Sequence, residues 1–534
     1  MTRSKQRVHA LKILLITGKL AEESVKRYAS EAEADIDVLA LPVPVAAFIS
    51  PEYAAQAIKK TGIKDYDLIM MPGYVQGDVT PVEEVTGMKT FKGPVHSADI
   101  PTVIGLLDDV TLSKTKPASE LLEGVLKSKI LREIEEVERN QLRIIGERGG
   151  IIIGRGESGV PIGHGFPMRV IAEIVNAPTL GLGEIHRLSK YYESSGADVI
   201  DIGMLAGKSQ PDIIEDIMEE LRSSTDLPIS IDTLDPSEII AASRAEVDLV
   251  LSVDSGNMEE VADYVSEIPV VVLPSNIRDG IMPRSAEDSV AALQKNIEDA
   301  KALGLKKIIA DPILEPVINP GLFESLRSYH LYRQADKETP VLFGMGNVTE
   351  LIDADSQGVN GILAAIAHEL KANLLFVPEF SQKARGSVRE AATASKMMFL
   401  ADRRQTVPKD LGIDLLMFKE KRKSEEPYRR DAEKSVTVVK ADEKNMLEMD
   451  VKGFFSVEID RENDLIAAIH YPNQSKNADL IIKGSNAKEI YKTAIREKLI
   501  GNFDHAAYLG RELEKAEIAL RMGRSYVQDE ELFP

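Results

Sequence analysis

Between residues 169 and 385, carboxylate and amide side chains stand at or just after the ends of short apolar runs. If these runs are strands of one parallel barrel, their carboxyl ends share one rim, where the side chains converge. The residues that meet this condition are Glu173, Asn176, Asp201, Asp232, Ser252, Asp254, Asn276, Asp311, Asn347 and Glu379. The pattern therefore predicts a site at that rim that is rich in oxygen and amide groups.

This set of groups suits an uncharged heterocycle better than a metal. A carboxylate can accept two parallel hydrogen bonds from adjacent N–H and amino groups, and an amide offers a donor and an acceptor. A pterin ring has such an edge. The alternative is a divalent cation held by Asp232 and Asp311, but no further ligands are fixed by the pattern, so no metal is predicted. For any single one of these residues, a capping or ion-paired loop carboxylate is an equally good interpretation.

Two basic residues follow the last apolar run. Loops after the seventh and eighth strands of such barrels often hold phosphate, and here they contain Gly344, Gly346, Lys383 and Arg385. Lys383 and Arg385 are candidate ligands of a phosphate or another anion. They are equally interpretable as surface residues near the last helix.

The elements that would position these residues repeat eight times. Each apolar run is followed by an amphipathic segment of helix length, and eight such units in about 240 residues are typical of a (β/α)₈ barrel. A doubly wound sheet is the alternative. The expected strands are Arg169–Val175, Ala197–Ile202, Pro228–Ile231, Asp248–Leu251, Pro269–Leu273, Lys307–Ala310, Pro340–Phe343 and Asn373–Val377. We assign the barrel to residues 148–408.

Residues 1–147 alternate apolar runs with amphipathic stretches, which predicts an open α/β domain of Rossmann or flavodoxin type. The expected strands are Leu11–Thr17, Ile36–Leu41 and Tyr66–Met71, and a long helix is expected at Ser119–Arg139. Gly18 and Gly73 follow strand ends, where they could face a ligand or serve tight turns. The glycine-rich arm at 149–166 contains a GxGxxG pattern, but Val160-Pro161 follows in place of a helix. We therefore interpret the arm as a linker or a hairpin that closes the barrel.

Residues 409–435 are rich in charge and predict an exposed linker. Residues 436–534 predict a small α+β domain. Its expected elements are a hairpin, with Gly453–Ile459 and Leu465–His470 as strands, a further strand and two helices, the last at Ala506–Met522.

Composition narrows the function classes. The 534 residues include 86 acidic and 65 basic side chains, a formal net charge of −21, which argues against nucleic acid or anionic membrane as a partner. The absence of cysteine excludes thiolate metal sites, iron–sulfur clusters and disulfides within this sequence. No apolar run reaches the length of a membrane span, and we expect a cytoplasmic protein.

Several motifs resemble those of a known superfamily, and they occur in its order. They are Ala172-Glu173-Ile174-Val175-Asn176, Asp198-Val199-Ile200-Asp201, Ile231-Asp232-Thr233, Asp311-Pro312-Ile313-Leu314 and Gly344-Met345-Gly346-Asn347-Val348. They are similar to motifs of the pterin-binding barrels, which include dihydropteroate synthase, the folate domain of methionine synthase and methyltransferases that serve corrinoid proteins. Over nearly its whole length the chain resembles archaeal dihydropteroate synthase-related proteins.

The resemblance implies roles for particular residues. Asp232 and Asp311 would hold the pterin ring, and Asn347 would lie near its reactive nitrogens, which makes Asp232 and Asn347 the candidate catalytic residues. Ser252 stands where relatives place an asparagine, so that contact would be weaker or pass to Asp254. The ligand implied is a reduced pterin of the tetrahydromethanopterin type, as substrate or cofactor.

The sequence departs from dihydropteroate synthase at the groups that clamp diphosphate and arylamine. Asn176-Ala177-Pro178-Thr179 replaces the first loop, Gly346-Asn347-Val348 replaces Ser-Arg-Lys, and Phe376-Val377-Pro378 replaces Arg-x-His. The motifs around Glu173 and Asn347 instead resemble the methyltransferase branch. No corrinoid-binding Asp-x-His-x-x-Gly motif is present, so a partner protein would carry the corrinoid.

Three functions follow from these observations. The first is a dihydropteroate synthase-like transferase that joins or processes a pterin precursor. The second is methyl transfer from an N5-methyl tetrahydropterin to a corrinoid protein, and the third is a non-catalytic pterin carrier or assembly factor. A second copy of the chain in a homodimer is the other partner we expect.

Overall fold

The computed structural model describes residues 11–107, 110–122, 132–419, 436–439, 441, 449–461 and 463–533. The chain divides into two compact units, Met1–Phe418 and Lys419–Pro534, and each is described by itself. Most of the predicted linker at 409–435 lies outside the described residues, as does the middle of the predicted helix Ser119–Arg139. The domain boundaries at 147, 408 and 435 stay predictions.

The first unit begins with an open parallel sheet, as predicted. Its order is β2-β1-β3-β4. The strands are β1 (Lys12–Gly18), β2 (Asp35–Leu41), β3 (Leu68–Met71) and β4 (Thr90–Lys92), and the helices are α1 (Glu22–Ala29), α2 (Pro51–Thr61), α3 (Thr80–Thr86), α4 (Ile100–Gly105) and α5 (Ala118–Leu121). Ile13 and Leu15 enter one core and Leu14 and Ile16 the other, because successive side chains of a strand face opposite ways. Sequence reasoning missed β4, which has three residues.

The helical segments α6 (132–139) and α7 (Gln141–Arg148) lead to a two-stranded antiparallel hairpin, β5 (Ile151–Ile153) and β6 (Val160–Ile162). This hairpin is the glycine-rich arm, and a short 3₁₀ turn rather than a helix N-terminus fills its tip. Ile153 and Ile162 are fully buried and pack with apolar side chains inside the barrel, among them Ile171 and Leu249. The hairpin therefore closes one end of the barrel, as one of the two predicted alternatives proposed.

Eight parallel strands form the predicted barrel. Hydrogen bonding runs in the order β12-β11-β10-β9-β8-β7-β14-β13, and a parallel bridge between Ala310 and Val341 joins the two ends. The closed ring excludes the doubly wound alternative. The strands are β7 (Arg169–Ile174), β8 (Val199–Gly203), β9 (Ile229–Asp232), β10 (Leu249–Val253), β11 (Val270–Val272), β12 (Ile308–Ala310), β13 (Leu342–Gly344) and β14 (Leu374–Pro378).

Helices surround this ring, and the main core lies between them and the outer faces of the strands. They are α8 (Leu182–Ser195), α9 (Ile214–Ser224), α10 (Pro236–Arg244), α11 (Met258–Val265), α12 (Ala286–Ala302), α13 (Leu322–Ala335), α14 (Gly346–Thr349), α15 (Ser356–Glu369) and α16 (Ser387–Arg403). Local signals set several helix starts. Asp235 caps α10 and Ser285 caps α12 through side-chain oxygens that accept backbone N–H groups.

The second unit is the predicted α+β module. Its antiparallel sheet has the order β15-β16-β17. The elements are β15 (Phe454–Asp460), β16 (Leu465–Tyr471), β17 (Leu480–Gly484), α17 (Ala487–Arg496) and α18 (Phe503–Met522). Phe455, Ile466 and Leu509 form part of its own core. Among the described residues of both units, we find no helix with the length and apolar character that spanning a bilayer requires.

We expect the closing hairpin to carry a measurable share of barrel stability. Ile162→Ala removes a fully buried side chain and leaves a cavity, so the free energy of unfolding should fall by about 2–5 kcal/mol. The control is Ile362→Ala on α15, where the side chain is 65% exposed and the change should stay within about 0.5 kcal/mol. Urea denaturation of both variants measures the difference. Equal stability of the two variants would show that the hairpin does not contribute.

Candidate functional site

Every second residue of a barrel strand faces the interior. In two strands the inward-facing residue nearest the carboxyl end is acidic, and the one before it is apolar. On β7, Ile171 lies in the apolar interior and Glu173, two residues on, reaches the rim. On β8, Val199 and Asp201 repeat this arrangement. The hairpin end of the barrel is therefore apolar, and its opposite end carries carboxyl groups.

Three of the predicted carboxyl groups form a tight cluster. One oxygen each of Glu173, Asp201 and Asp232 lies within 4.8 Å of the other two. Asp201 is fully buried and accepts a 2.5 Å hydrogen bond from Ser230 Oγ, while its Oδ2 has no hydrogen-bond partner among the described residues. Gly203 allows this packing, since a Cβ there would overlap the Glu173 carboxylate.

Crowding and burial raise the pKa values of the three clustered carboxyl groups. Burial, then the charges of Asp232 and Glu350, raise the pKa of Glu173 to about 8. Burial and the neighbouring Asp311 raise the pKa of Asp232 to about 7. The pKa of Asp201 is also raised, by burial, Asp232 and Glu173. No Lys or Arg within the described residues forms an ion pair with these carboxyls, so bound protons reduce their total charge near pH 7.

Asp311 stands beside the cluster, in a different environment. Burial raises its pKa to about 6, against two hydrogen bonds that favour the charged form. The donors are the backbone N–H of Ile313 at 2.8 Å and the hydroxyl of Tyr329 at 2.9 Å. Sequence reasoning missed Tyr329, which is fully buried on α13 and therefore resembles an ordinary core residue.

Glu350 is the other residue that sequence reasoning missed. It accepts hydrogen bonds from the backbone N–H groups of Phe380 and Ser381, which ties the loop after β13 to the loop after β14. Its charge acts on Glu173. No motif singles out Glu350, because only the closure of the ring brings it near β7.

The two predicted asparagines occupy different positions at the rim. Asn176 follows β7 in the left-handed region, with φ of 52°, a conformation that asparagine tolerates better than most residues. Asn347 lies in the first turn of α14 and is exposed. Its Nδ2 donates to the Leu314 carbonyl at 2.7 Å, so it links the loops after β12 and β13.

Ser252 lies near the end of β10 and Asp254 follows that strand, and both take part in loop hydrogen bonds. The Asp254 carboxylate accepts hydrogen bonds from Gly256 N, Ile277 N and Ser275 Oγ, at 2.7 to 2.8 Å. Ser252 is buried, and its carbonyl accepts the Asn257 amide. A pterin contact from Asp254 stays a prediction, and in this structure the residue orders the loops that frame the rim.

The two predicted anion ligands lie after β14. Lys383 Nζ donates to the Ile352 carbonyl and lies 3.4 Å from Asp353 Oδ1, so its charge is partly satisfied within the protein. Arg385 is exposed. Between them and the barrel, Glu379 accepts hydrogen bonds from Tyr191 Oη at 3.0 Å and from Val388 N at 2.9 Å.

The rim offers places for different ligands. Glu173, Asp201 and Asp232 present oxygen atoms close enough to hold a divalent cation. In their protonated and ionised forms they offer hydrogen-bond donors and acceptors to a neutral ring. Next to Asp311, a cavity of about 270 Å³ opens between the loops after β11 and β12 and helix α13, and Arg284, Glu315 and Ser328 are among its lining residues.

Three family descriptions match parts of the chain. Residues 185–368 match the family described as "Pterin binding enzyme". Residues 11–95 match a family of unknown function, and residues 449–529 match one described as PterinBD-DUF4346. The first match lies within the barrel.

An uncharacterized protein of the archaeon Methanocaldococcus jannaschii is 44% identical over 534 residues, which cover 98% of this chain and 99% of that protein. A Ycf91-like protein of Nostoc is 32% identical over 108 residues, covering 16% of this chain and 85% of its own. A Yersinia pestis dihydropteroate synthase structure is 18% identical over 45% of this chain and 98% of its own, with a TM-score of 0.36. The Thermus thermophilus dihydropteroate synthase is 19% identical over 43% of this chain and 92% of its own, with a TM-score of 0.34.

The raised carboxyl pKa values predict a dependence of stability on pH. Above about pH 4.5 the folded protein holds protons that the unfolded chain has released, on Asp311 up to about pH 6, on Asp232 up to about pH 7 and on Glu173 up to about pH 8. The contribution of these groups to the free energy of unfolding must therefore fall as pH rises through this window. Glu173→Gln removes one such proton, so the variant should lose less stability than the native protein between pH 5 and pH 8.

Chemical denaturation at several pH values measures this difference. Glu219→Gln, at an exposed position of α9, is the matched control and should follow the native protein. If Glu173→Gln and the native protein lose the same stability over the window, the site does not hold the proton we assign to it.

Proposed function

We propose that this chain is a transferase that binds a reduced pterin at its barrel rim. The chain belongs to the same family as the Methanocaldococcus jannaschii protein and to the pterin-binding barrel superfamily. Its reaction would be of the dihydropteroate synthase type, joining or processing a pterin precursor. The pterin we propose is of the tetrahydromethanopterin type.

The observation that carries this proposal is the group of four carboxyls, Glu173, Asp201, Asp232 and Asp311, which has no cationic partner within the described residues. Asp201 is buried and the other three are partly buried, and carboxyl groups crowded in this way without a counter-charge are costly unless a ligand or a proton compensates them. A ring that carries adjacent N–H, amino and carbonyl groups supplies several such hydrogen bonds without adding charge.

The different pKa values suggest a division of roles. Asp311, with the lowest pKa of the three that titrate near neutrality, would be the ionised acceptor for adjacent N–H and amino groups. Glu173, with a pKa of about 8, would be protonated and donate to a ring nitrogen or oxygen. The pKa of Asp232, about 7, lies between those of Asp311 and Glu173, so Asp232 would exchange a proton with the ring as the reaction proceeds. Pairs of carboxyls whose environments separate their pKa values commonly divide acid and base roles in this way.

The remaining predicted residues would complete the pocket. Asn176, Ser252 and Asn347 lie at the rim around the carboxyl group, and we assign them contacts with the edges of the ring. Lys383 and Arg385 would meet an anionic leaving group or tail.

A second function, methyl transfer from an N5-methyl tetrahydropterin, is supported by the state of Lys383. Its ammonium group already has the Ile352 carbonyl and Asp353 as partners, which leaves less charge for a diphosphate. Methyl transfer needs no diphosphate site, but it needs a proton near the ring nitrogen that loses the methyl group, and protonated Glu173 or Asp232 could stabilise it. A corrinoid protein would be the methyl acceptor.

Pterin binding should depend on the central carboxyls. We expect Asp232→Asn and Asp311→Asn each to weaken the binding of a reduced pterin about tenfold or more, because each loses an acceptor or proton that the ring uses. Isothermal titration calorimetry with 6-hydroxymethyl-7,8-dihydropterin diphosphate and with an N5-methyl tetrahydropterin measures the loss. Asp216→Asn, exposed on α9, is the control and should bind as the native protein does. If both pterins bind the variants as well as the native protein, the site lies elsewhere.

Turnover assays separate the candidate functions. Diphosphate release that requires an arylamine supports the synthase-type reaction. Loss of the N5-methyl group only when a cob(I)alamin-loaded corrinoid protein is added supports methyl transfer and contradicts the first proposal. Tight binding with neither reaction contradicts both and supports a carrier.

A further inference from the structure

A second cavity lies in the first unit, at the carboxyl edge of the N-terminal sheet. Its volume is about 450 Å³, within the range of small-molecule sites. Thr17 at the end of β1, Pro72 after β3 and Gly93 after β4 line it, together with Arg404 and Thr406 just after α16. All strands of this sheet are parallel, but β2 lies on one side of β1 whereas β3 and β4 lie on the other, so the strand order reverses between β1 and β3. Ligands of open parallel sheets bind at such a point.

The two glycines at these strand ends shape the cavity wall. A Cβ on Gly18 would lie 2.7 Å from Ala46 N, and one on Gly73 would lie 2.8 Å from Gly93 O. Both glycines therefore permit close approach of neighbouring loops. The loops they admit form the sides of the cavity.

His96 lines this cavity and is only 5% exposed. Its Nδ1 lies 3.4 Å from Thr406 Oγ1, and its Nε2 has no hydrogen-bond partner among the described residues. Burial lowers the pKa of His96, which favours the neutral ring, and we assign the remaining proton to Nδ1, beside Thr406 Oγ1. A neutral imidazole that carries its proton on Nδ1 presents Nε2 as an acceptor.

Arg404 supplies a donor in the same place. It is 3% exposed, and its Nε–H has no partner among the described residues. The other two nitrogens face carboxylates, Nη1 at 3.4 Å from Asp99 and Nη2 at 3.0 Å from Glu133. A buried donor without a partner lowers stability, and a hydrogen bond to a ligand acceptor would remove that penalty.

The charges around the cavity argue for a neutral ligand. Asp99 and Glu133 already neutralise Arg404, and the nearby Lys409 lies 3.9 Å from Asp410 and over the ring of Tyr74. An anionic ligand would therefore meet no unpaired cation among the cavity-lining residues that the structure describes. Apolar side chains such as Leu15, Val45 and Met70 form much of the remaining wall, which favours a largely apolar body.

We propose that this cavity is a second ligand site, for a neutral and largely apolar molecule that carries an amide or lactam group. The amide N–H would donate to His96 Nε2, and its carbonyl would accept from Arg404 Nε. Apolar contact with the cavity wall would provide most of the binding free energy, and the two buried nitrogens would provide selectivity.

Matched probes test both parts of the proposal on the full chain. 1-Naphthamide has the neutral amide, 1-naphthoate is its anionic counterpart, and naphthalene-1-carboxylic acid methyl ester lacks the N–H donor. In ligand-observed NMR titrations we expect the amide to bind about tenfold more tightly than the other two. Equal binding of all three, tighter binding of the anion, or no binding of the amide at millimolar concentration would overturn the proposal.

Variants locate the binding. His96→Leu removes the acceptor and should reduce the affinity for 1-naphthamide about tenfold, and Val45→Trp, at a 39% exposed position of the wall, should block the cavity without touching either nitrogen. Thermal melting of each variant shows whether it is folded. Asp232→Asn in the barrel should leave 1-naphthamide binding unchanged, and a loss there would contradict a separate site.

Discussion

The acidic end of the barrel depends on one constraint, the crowding of four carboxyl groups, one buried and three partly buried, without a cation to pair with them among the described residues. Glu173, Asp201 and Asp232 lie close together, and Asp311 adds its charge to that of Asp232. Such a group can exist only if protons or a ligand reduce its charge. The raised pKa values are consequences of that arrangement. The absence of a side chain at Gly203 and the hydrogen bond from Tyr329 to Asp311 are conditions for it.

The rest of the barrel supplies the stability and the loop contacts that hold these carboxyl groups in place. At the other end, the β5–β6 hairpin and the apolar inner side chains form a dry, close-packed core, so stability is concentrated away from the polar rim. Loop residues that do not touch the cluster hold the rim in place. Asp254 orders the loops after β10 and β11, and Glu350 ties the loops after β13 and β14. Separating a stable base from a polar, less stable rim is the usual organisation of this barrel.

The N-terminal sheet also combines an apolar interior with unpartnered polar groups at its carboxyl edge. Its central strands β1 and β3 are buried on both faces, and the cavity at its carboxyl edge is lined by two side chains with buried nitrogens that have no partners among the described residues. Residues that follow the last barrel helix reach this edge, where Arg404 pairs with Asp99. The sheet and the barrel therefore share structural residues, although their cavities have different chemistry: one acidic and polar, the other neutral and mostly apolar.

The sequence by itself determined the order and type of the barrel elements, because strand and helix periodicities are local, whereas the three-residue strand β4 of the N-terminal sheet gave too short a pattern. All eight barrel strands lie within two residues of their predicted positions, and the alternation that places Glu173 and Asp201 at a rim is contained in β7 and β8. Only the tertiary structure decided which side chains meet. Tyr329 looks like a core residue until α13 packs beside Asp311, and Glu350 has no motif. Asp254 and Lys383 look free until loops from distant parts of the chain supply their partners. These outcomes depend on ring closure and loop packing, which bring together residues separated by tens to hundreds of positions and which no local pattern encodes.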